Sequence, residues 1–204
     1  MDIDMKAMKA EMGGAFMLVF GVAALAGDNV AWAIALAVTW MAFTGAHLLP
    51  VVTWCHIMTG DLGDAEGNWM ANGLRLVWQV VGALLAIVLM TEMGDVGPDW
   101  AYNDDMWISG VEGVWGPLTM LAAGAVFWQI HTRCDTAWVS AFAILALGGA
   151  MGLQLGQADQ MASSLLDGGS TTVTVLADWV LMSAVVGAGA LLGNTVDGLI
   201  GEEE

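Results

Sequence analysis

The sequence predicts an all-α integral membrane protein, and three observations carry that expectation: an excess of apolar residues, a deficit of charge, and six apolar stretches along the chain. Of 204 residues, 58% are apolar and only 12% charged, with a mean hydropathy of +0.70. Soluble domains average roughly 45–50% apolar and about 25% charged residues. Hydrocarbon does not solvate ions, and an ionised side chain at the bilayer centre costs at least ~2.5 kcal/mol. The charge deficit is therefore what a lipid-facing surface requires. A soluble helical bundle would have to hide more Trp and Leu side chains than a chain of this length can bury.

The apolar stretches run over 11–26, 30–44, 69–91, 107–130, 137–156 and 173–195. The longer ones reach the roughly 20 residues that a helix needs to cross about 30 Å of hydrocarbon. The first two are short, so they either extend into flanking residues or pack where the membrane is thin. Gly27-Asp28-Asn29 separates them with a polar turn of the kind that joins antiparallel helices. Acidic or Gly-rich connectors follow at 60–67, 92–106 and 166–170.

Cytoplasmic loops retain Lys and Arg. With six spans and an inside N-terminus, Lys6, Lys9, Arg75 and Arg133 all fall on the cytoplasmic side, which places a multi-pass protein in the cell membrane with both termini inside. Trp32, Trp69, Trp100, Trp107 and Trp179 lie near stretch ends, where an indole is half buried and half wet.

Four basic residues stand against 21 acidic ones, a formal net charge of −17. Phosphate binding needs clustered cations, so nucleic acid is excluded as a partner. A carboxylate excess of this size suits a salt-rich, halophilic environment, where screening weakens self-repulsion. Two cysteines, Cys55 and Cys134, are too few for a disulfide framework, and the N-terminus does not look like a cleavable signal peptide. No convergent set of nucleophile, acid and metal ligands stands out, so neither an enzyme nor a cofactor is expected.

One segment between the second and third stretches carries a specific resemblance. Thr44-Gly45-Ala46-His47-Leu48-Leu49-Pro50-Val51-Val52-Thr53 resembles the first pore loop of the aquaporin (major intrinsic protein) family, Ser-Gly-Ala-His-Leu-Asn-Pro-Ala-Val-Thr. Further likenesses fall in order along the chain. Glu11-x-x-Gly14-x-Phe16-x-Leu18-Val19-Phe20 is similar to the family's first span, Gln79-x-x-Gly82-Ala83 to its third, and Asp178-Trp179-Val180 with Val186-Gly187-Ala188-Gly189-Ala190 to its sixth. Glu112 echoes Glu11 in the fourth stretch, as an internal repeat requires.

The resemblance implies six spans plus two re-entrant half-helices, arranged as inverted halves over 1–91 and 107–204 with an acidic connector at 92–106. It also implies a homotetramer in which each subunit holds its own pore. Glu11 and Glu112 would be buried and would accept backbone N–H groups of the re-entrant loops; the plain alternative for Glu11 is a flanking interfacial acid. His47 would make structural hydrogen bonds beside the pore, with gating of access as the sharper alternative. Gly45, Gly82, Ala83 and Gly187 would lie at close helix crossings.

The second loop departs from the family. Gly156-Gln157-Ala158-Asp159-Gln160-Met161-Ala162-Ser163-Ser164-Leu165, set against Gly-x-x-x-Asn-Pro-Ala-Arg-Ser-Leu, keeps only Gly156, Ala162, Ser164 and Leu165. The two Asn residues of the family's pore centre become Leu49 and Gln160, next to Pro50-Val51 and Met161-Ala162. Its filter Arg becomes Ser163, and the span-five filter position becomes Gly148. Leu49 has no hydrogen to donate, whereas Gln160 does, and Asp159 brings negative charge. The expected function is passive passage of water or a small neutral solute through an atypical filter. A cation-permeable channel and a non-conducting member of the fold with a structural role are the alternatives. Cys55, His56, His131 and Cys134 form a possible zinc set, but neighbours on a helix diverge by about 100°, so the simpler expectation is that the four are unrelated and no metal is held.

Overall fold

The computed structural model describes residues 3–24, 29–92, 114–151, 158–166 and 172–201. Among these residues every regular element is helical, so the chain is all-α. Helix α1 spans Met5–Ala24. It starts six residues before the first apolar stretch because the Asp4 carboxylate accepts the backbone N–H groups of Lys6 and Ala7 at 3.0 and 3.1 Å, capping the helix and drawing both lysines into it.

Helix α2 spans Asn29–Ala42, and α3 spans Pro50–Thr59. Proline opens α3, where its missing N–H has no role and its fixed φ suits the first turn. A π-helical segment, Ala65–Met70, capped by Asp64, leads without a break into α4, Ala71–Glu92. The second half of the chain contributes α5 (Trp115–Arg133), α6 (Ala137–Leu147), α7 (Ala158–Leu166) and α8 (Thr172–Gly201).

The two halves repeat one order of elements and one scheme of packing. Helix α4 packs along α1 as α8 packs along α5, while α2 and α6 pack on each other. Each short helix lies against the long helix of the opposite half, α3 on α8 and α7 on α4. Glycines enforce the long crossings: a Cβ at Gly82 would collide with the Met12 carbonyl, and one at Gly189 with the Leu121 carbonyl. Gly187 plays a similar part, sitting against the Trp54 carbonyl of α3.

Six spanning stretches were expected, and the described helices refine that count. Two of them, 65–92 and 175–200, are long and apolar enough to cross a membrane, each with a mean hydropathy of 2.0 over its best window. Helix α2, with 14 residues, covers about 21 Å, and α6, with 11, about 16 Å, both short of the bilayer core. The fifth apolar stretch was expected to be helical to 156; α6 instead stops at Leu147. Helix α1 carries Lys6, Lys9 and Glu11, and α5 ends in His131 and Arg133, which lowers their hydropathy.

Only 44% and 47% of the two long windows are buried. A core helix of a soluble protein is mostly buried, whereas here Val77, Leu85, Val88 and Leu89 of α4 and Leu192 and Val196 of α8 face outward. Inside, Leu36, Leu48, Leu49, Phe127, Ile144 and Met182 belong to one apolar core that joins both halves.

Candidate functional site

The site is built on the loop that enters α3. Its anchor is Glu11, in the second turn of α1 and without exposed surface. One carboxylate oxygen accepts the His47 backbone N–H at 2.6 Å and an Arg75 guanidinium N–H at 2.7 Å. The other accepts the Leu48 N–H and a Gln79 amide N–H, both at 2.9 Å. A buried charge is tolerated only when it is paired and fully hydrogen-bonded, and four donors meet that condition here.

Arg75 also donates to the Gly45 carbonyl at 3.0 Å, and Gln79 to Thr53 Oγ1 at 2.9 Å, so α4 grips the loop on both sides of its turn. Trp40 of α2 donates its indole N–H to the His47 carbonyl at 3.2 Å. The loop is thus fixed by α1, α2 and α4 together.

The backbone needs that grip. Leu48 has φ of +65° and Gly45 of +84°, a left-handed region that costs a non-glycine residue of order 1 kcal/mol or more. Gly45 meets the requirement without a Cβ, whereas Leu48 is held by the Glu11 hydrogen bond and by packing. Its side chain lies directly on Gly14, where any Cβ would overlap Leu48 Cδ2. Glu11 and Gly14 share one face of α1 at i and i+3: the first binds the loop backbone and the second makes room for the loop side chain.

Beside the loop lies a cavity of about 340 Å³, with Trp40, His47, Val52, His56, His131 and Ser140 among its walls. The His47 and His56 rings stack in parallel, with centroids 4.0 Å apart and planes within 2°. His47 Nδ1 lies 3.2 Å from Thr53 Oγ1, and that hydroxyl is set to donate to the Leu49 carbonyl at 3.3 Å. His131 bonds Ser140 Oγ at 2.9 Å and packs among Trp40, Phe127 and Trp128.

The expected pore-centre residues have a different setting. Leu49 is the extended residue before α3 and only 2% exposed. It is packed in the apolar core and is not on the cavity wall, and Pro50 and Val51 behind it are buried too. In α7, Asp159 and Gln160 occupy the first turn and are half-buried, while Met161, Ala162 and Ser163 are buried. Gly148 ends α6 in right-handed helical geometry, half-buried. Glu112, Gln157, Gly156 and nearly all of the 92–106 connector lie outside the described residues.

The possible zinc set is not assembled. Cys55 is fully buried in the apolar core, whereas His56, His131 and Cys134 line the cavity. Among the described residues no three His, Cys, Asp or Glu side chains converge to hold a metal ion.

Sequence reasoning used Arg75 only as an orientation marker and missed it, Gln79 and Thr53 as anchors of the loop. A signal was present: Arg75 and Gln79 stand at i and i+4, one polar stripe on an otherwise apolar helix. Compared with models of known protein families and with curated proteins, the chain matches none.

Proposed function

We propose that this chain is an aquaporin-like transmembrane channel for passive passage of water or a small neutral solute, with a pore in each subunit of a homotetramer. The observation that carries this reading is the Glu11 hub. It pins a non-helical loop at the mouth of a ten-residue helix, about 15 Å long and too short to cross a bilayer. Irregular backbone is stable at membrane depth only when buried in protein or lining a wet cavity, and the hub supplies such burial.

The repeated packing of α3 on α8 and α7 on α4 supports an inverted repeat with two half-helices, the architecture in which transport sites form at the repeat interface. Outward-facing Leu and Val on α4 and α8 support a lipid environment. The cavity beside His47 then serves as the cytoplasmic vestibule. Half-helix N-termini carry positive partial charge and disfavour cations, which favours a neutral permeant over the cation reading.

Leu49 favours a second reading, a non-conducting member of the same fold. An apolar side chain packed in the core at the expected midpoint offers a passing water no donor and can close a pore by dewetting. Stopped-flow permeability of proteoliposomes separates the two. Flux of water, glycerol or urea above empty vesicles is expected for the wild type, with a rise in water flux for Leu49→Asn. Absence of any flux from either protein, at verified incorporation, would leave only the structural role.

A further inference from the structure

Away from the histidines lies another cavity, of about 240 Å³, between the first two turns of α1, the π-helical segment and the start of α4. Sites for drug-sized molecules measure roughly 300–1,000 Å³, so this one suits a small group. Met8, Ala71 and Leu74 give it apolar walls, and three charged side chains share its lining: Asp4, Glu66 and Arg75. The stretch 65–92, long and apolar enough to cross a membrane, begins at the same place. In a bilayer the cavity therefore opens at the depth of the lipid headgroups.

The charged groups hold binding capacity in reserve. Arg75 uses one guanidinium nitrogen, Nη1, for both the Glu11 carboxylate and the Gly45 carbonyl, while Nη2 and Nε donate to no described residue. Asp4 likewise caps Lys6 and Ala7 through Oδ1, and its Oδ2 accepts from no described residue. Arg75 and Glu11 cancel as a pair, so the carboxylates of Asp4 and Glu66 set the sign of the cavity. A bare anion is repelled there, and a bare cation leaves the guanidinium donors unmet. A group with both signs answers both walls: an ammonium suits the carboxylates, and a phosphate is an anion that a guanidinium fork matches with two hydrogen bonds.

We propose that this cavity binds a small zwitterionic group bearing an ammonium and a phosphate, as presented by an ethanolamine phospholipid in the membrane or by free phosphoethanolamine. The ammonium faces Asp4 and Glu66, the phosphate faces Arg75, and the carbon chain between them lies on Met8, Ala71 and Leu74. Because Arg75 also holds the Gly45 carbonyl, the bound group touches the residue that grips the α3 loop. The lipid source rests on the membrane reading above; the charge preference of the cavity rests on neither membrane nor conduction.

Native mass spectrometry of the full chain, with dioleoyl phosphatidylethanolamine and dioleoyl phosphatidylglycerol added at equal concentration, reads the preference directly. Asp4 and Glu66 are exposed, so the measurement belongs at low ionic strength. The wild type is expected to retain the ethanolamine lipid about tenfold better than the glycerol lipid, the effect of one favourable charge contact. Asp4→Asn with Glu66→Gln keeps the helix cap, because Asn caps as well as Asp, and removes both carboxylates. Arg75 then dominates, and the glycerol lipid should bind at least as well as the ethanolamine lipid. A structural loss would lower both together and leave their ratio alone. Equal binding by the wild type, or a ratio unchanged in the double variant, would overturn the proposal. Ala71→Leu, which fills the cavity without touching its charges, should lower retention of the ethanolamine lipid severalfold, and unchanged retention would place the lipid elsewhere and overturn the site. Displacement by free phosphoethanolamine would support the soluble source and resistance to it the lipid. Recovery of the protein only in the soluble fraction would overturn the membrane reading, and calorimetric titration with phosphoethanolamine would still decide the cavity.

Discussion

The Glu11 carboxylate, with no exposed surface, lies 2.7 Å from an Arg75 guanidinium nitrogen whose side chain is 20% exposed, so an ion pair joins α1 to α4 beneath the α3 loop. Removing one partner of such a pair leaves a buried charge without compensation, which costs about 3–5 kcal/mol. Arg75→Leu is therefore expected to destabilise the protein more than Glu11→Gln, because the latter removes the charge that needs pairing. The double variant should be less unstable than the two single losses predict by addition. Thermal unfolding of purified protein followed by size-exclusion chromatography measures all three, and additive losses would show that the pair is not coupled.

Glycine substitutions divide by what a methyl group would meet. At Gly82 and Gly189 the new Cβ strikes a backbone carbonyl of the partner helix, and at Gly14 it strikes Leu48. Alanine at Gly82 and Gly189 should cost about 1–3 kcal/mol through overpacking, and less at Gly14, where the atom met is the end of a leucine side chain that can turn aside. Gly21, also in α1, has open space where a Cβ would stand, with nothing within 4 Å, so Gly21→Ala should be neutral or stabilising by roughly 0.5–1 kcal/mol through its helix propensity. Melting temperatures of the four variants check the signs, and equal losses at Gly21 and Gly82 would contradict the packing.

The contrast between loop and helix contributions explains how much of this site was legible. The run Gly45-Ala46-His47-Leu48-Leu49-Pro50 declares its turn and its helix start locally, through a glycine in the left-handed region and a proline at the first helical position. Glu11 was legible as its anchor only through the resemblance of Glu11-x-x-Gly14 to a family's first span, with a flanking interfacial acid as the plain alternative. Arg75 and Gln79 act on that carboxylate from 64 and 68 residues away, a distance that no local pattern encodes. The histidine stack was hidden for a different reason: His47 and His56 are close in sequence but read as residues on different elements, and only the bend between loop and helix lays one ring on the other. Span count suffered from the opposite fault. Hydropathy marks apolar residues without marking where a helix ends, so the fifth stretch looked longer than α6 is.

Trp40 offers a prediction about the loop alone. Its indole N–H is the α2 contribution to the grip, donating to the His47 carbonyl at 3.2 Å. Trp40→Phe keeps an aromatic ring on the cavity wall and removes that donor, leaving the carbonyl with the Leu49 N–H at 2.8 Å as its partner, at a cost of about 0.5–1.5 kcal/mol. Hydrogen exchange followed by mass spectrometry should show faster exchange in a peptide covering 44–49 and unchanged exchange in α5. Uniform acceleration across the chain would mean that Trp40 supports the core and not the loop.

The outward face of α4 decides between lipid and water as its surroundings. Leu85 is 48% exposed and Leu89 42%, four residues apart on one stripe with Val77 and Val88. In water, Leu85→Glu is a harmless surface change that increases solubility. In hydrocarbon, the same glutamate costs about 2.5–3.5 kcal/mol if it stays charged near the membrane centre. Leu85→Glu should therefore reduce the protein recovered from the membrane fraction, and Leu85→Phe should not. Leu62, 46% exposed in the polar turn between α3 and the π-helical segment, is the control, because Leu62→Glu adds the same charge to an equally exposed leucine at a helix end. If all three variants behave alike, exposure on α4 has nothing to do with lipid; if only Leu85→Glu fails, the apolar stripe is facing hydrocarbon, since the charge, the residue type and the degree of exposure are matched and the location, a helix face against a polar turn, is what remains.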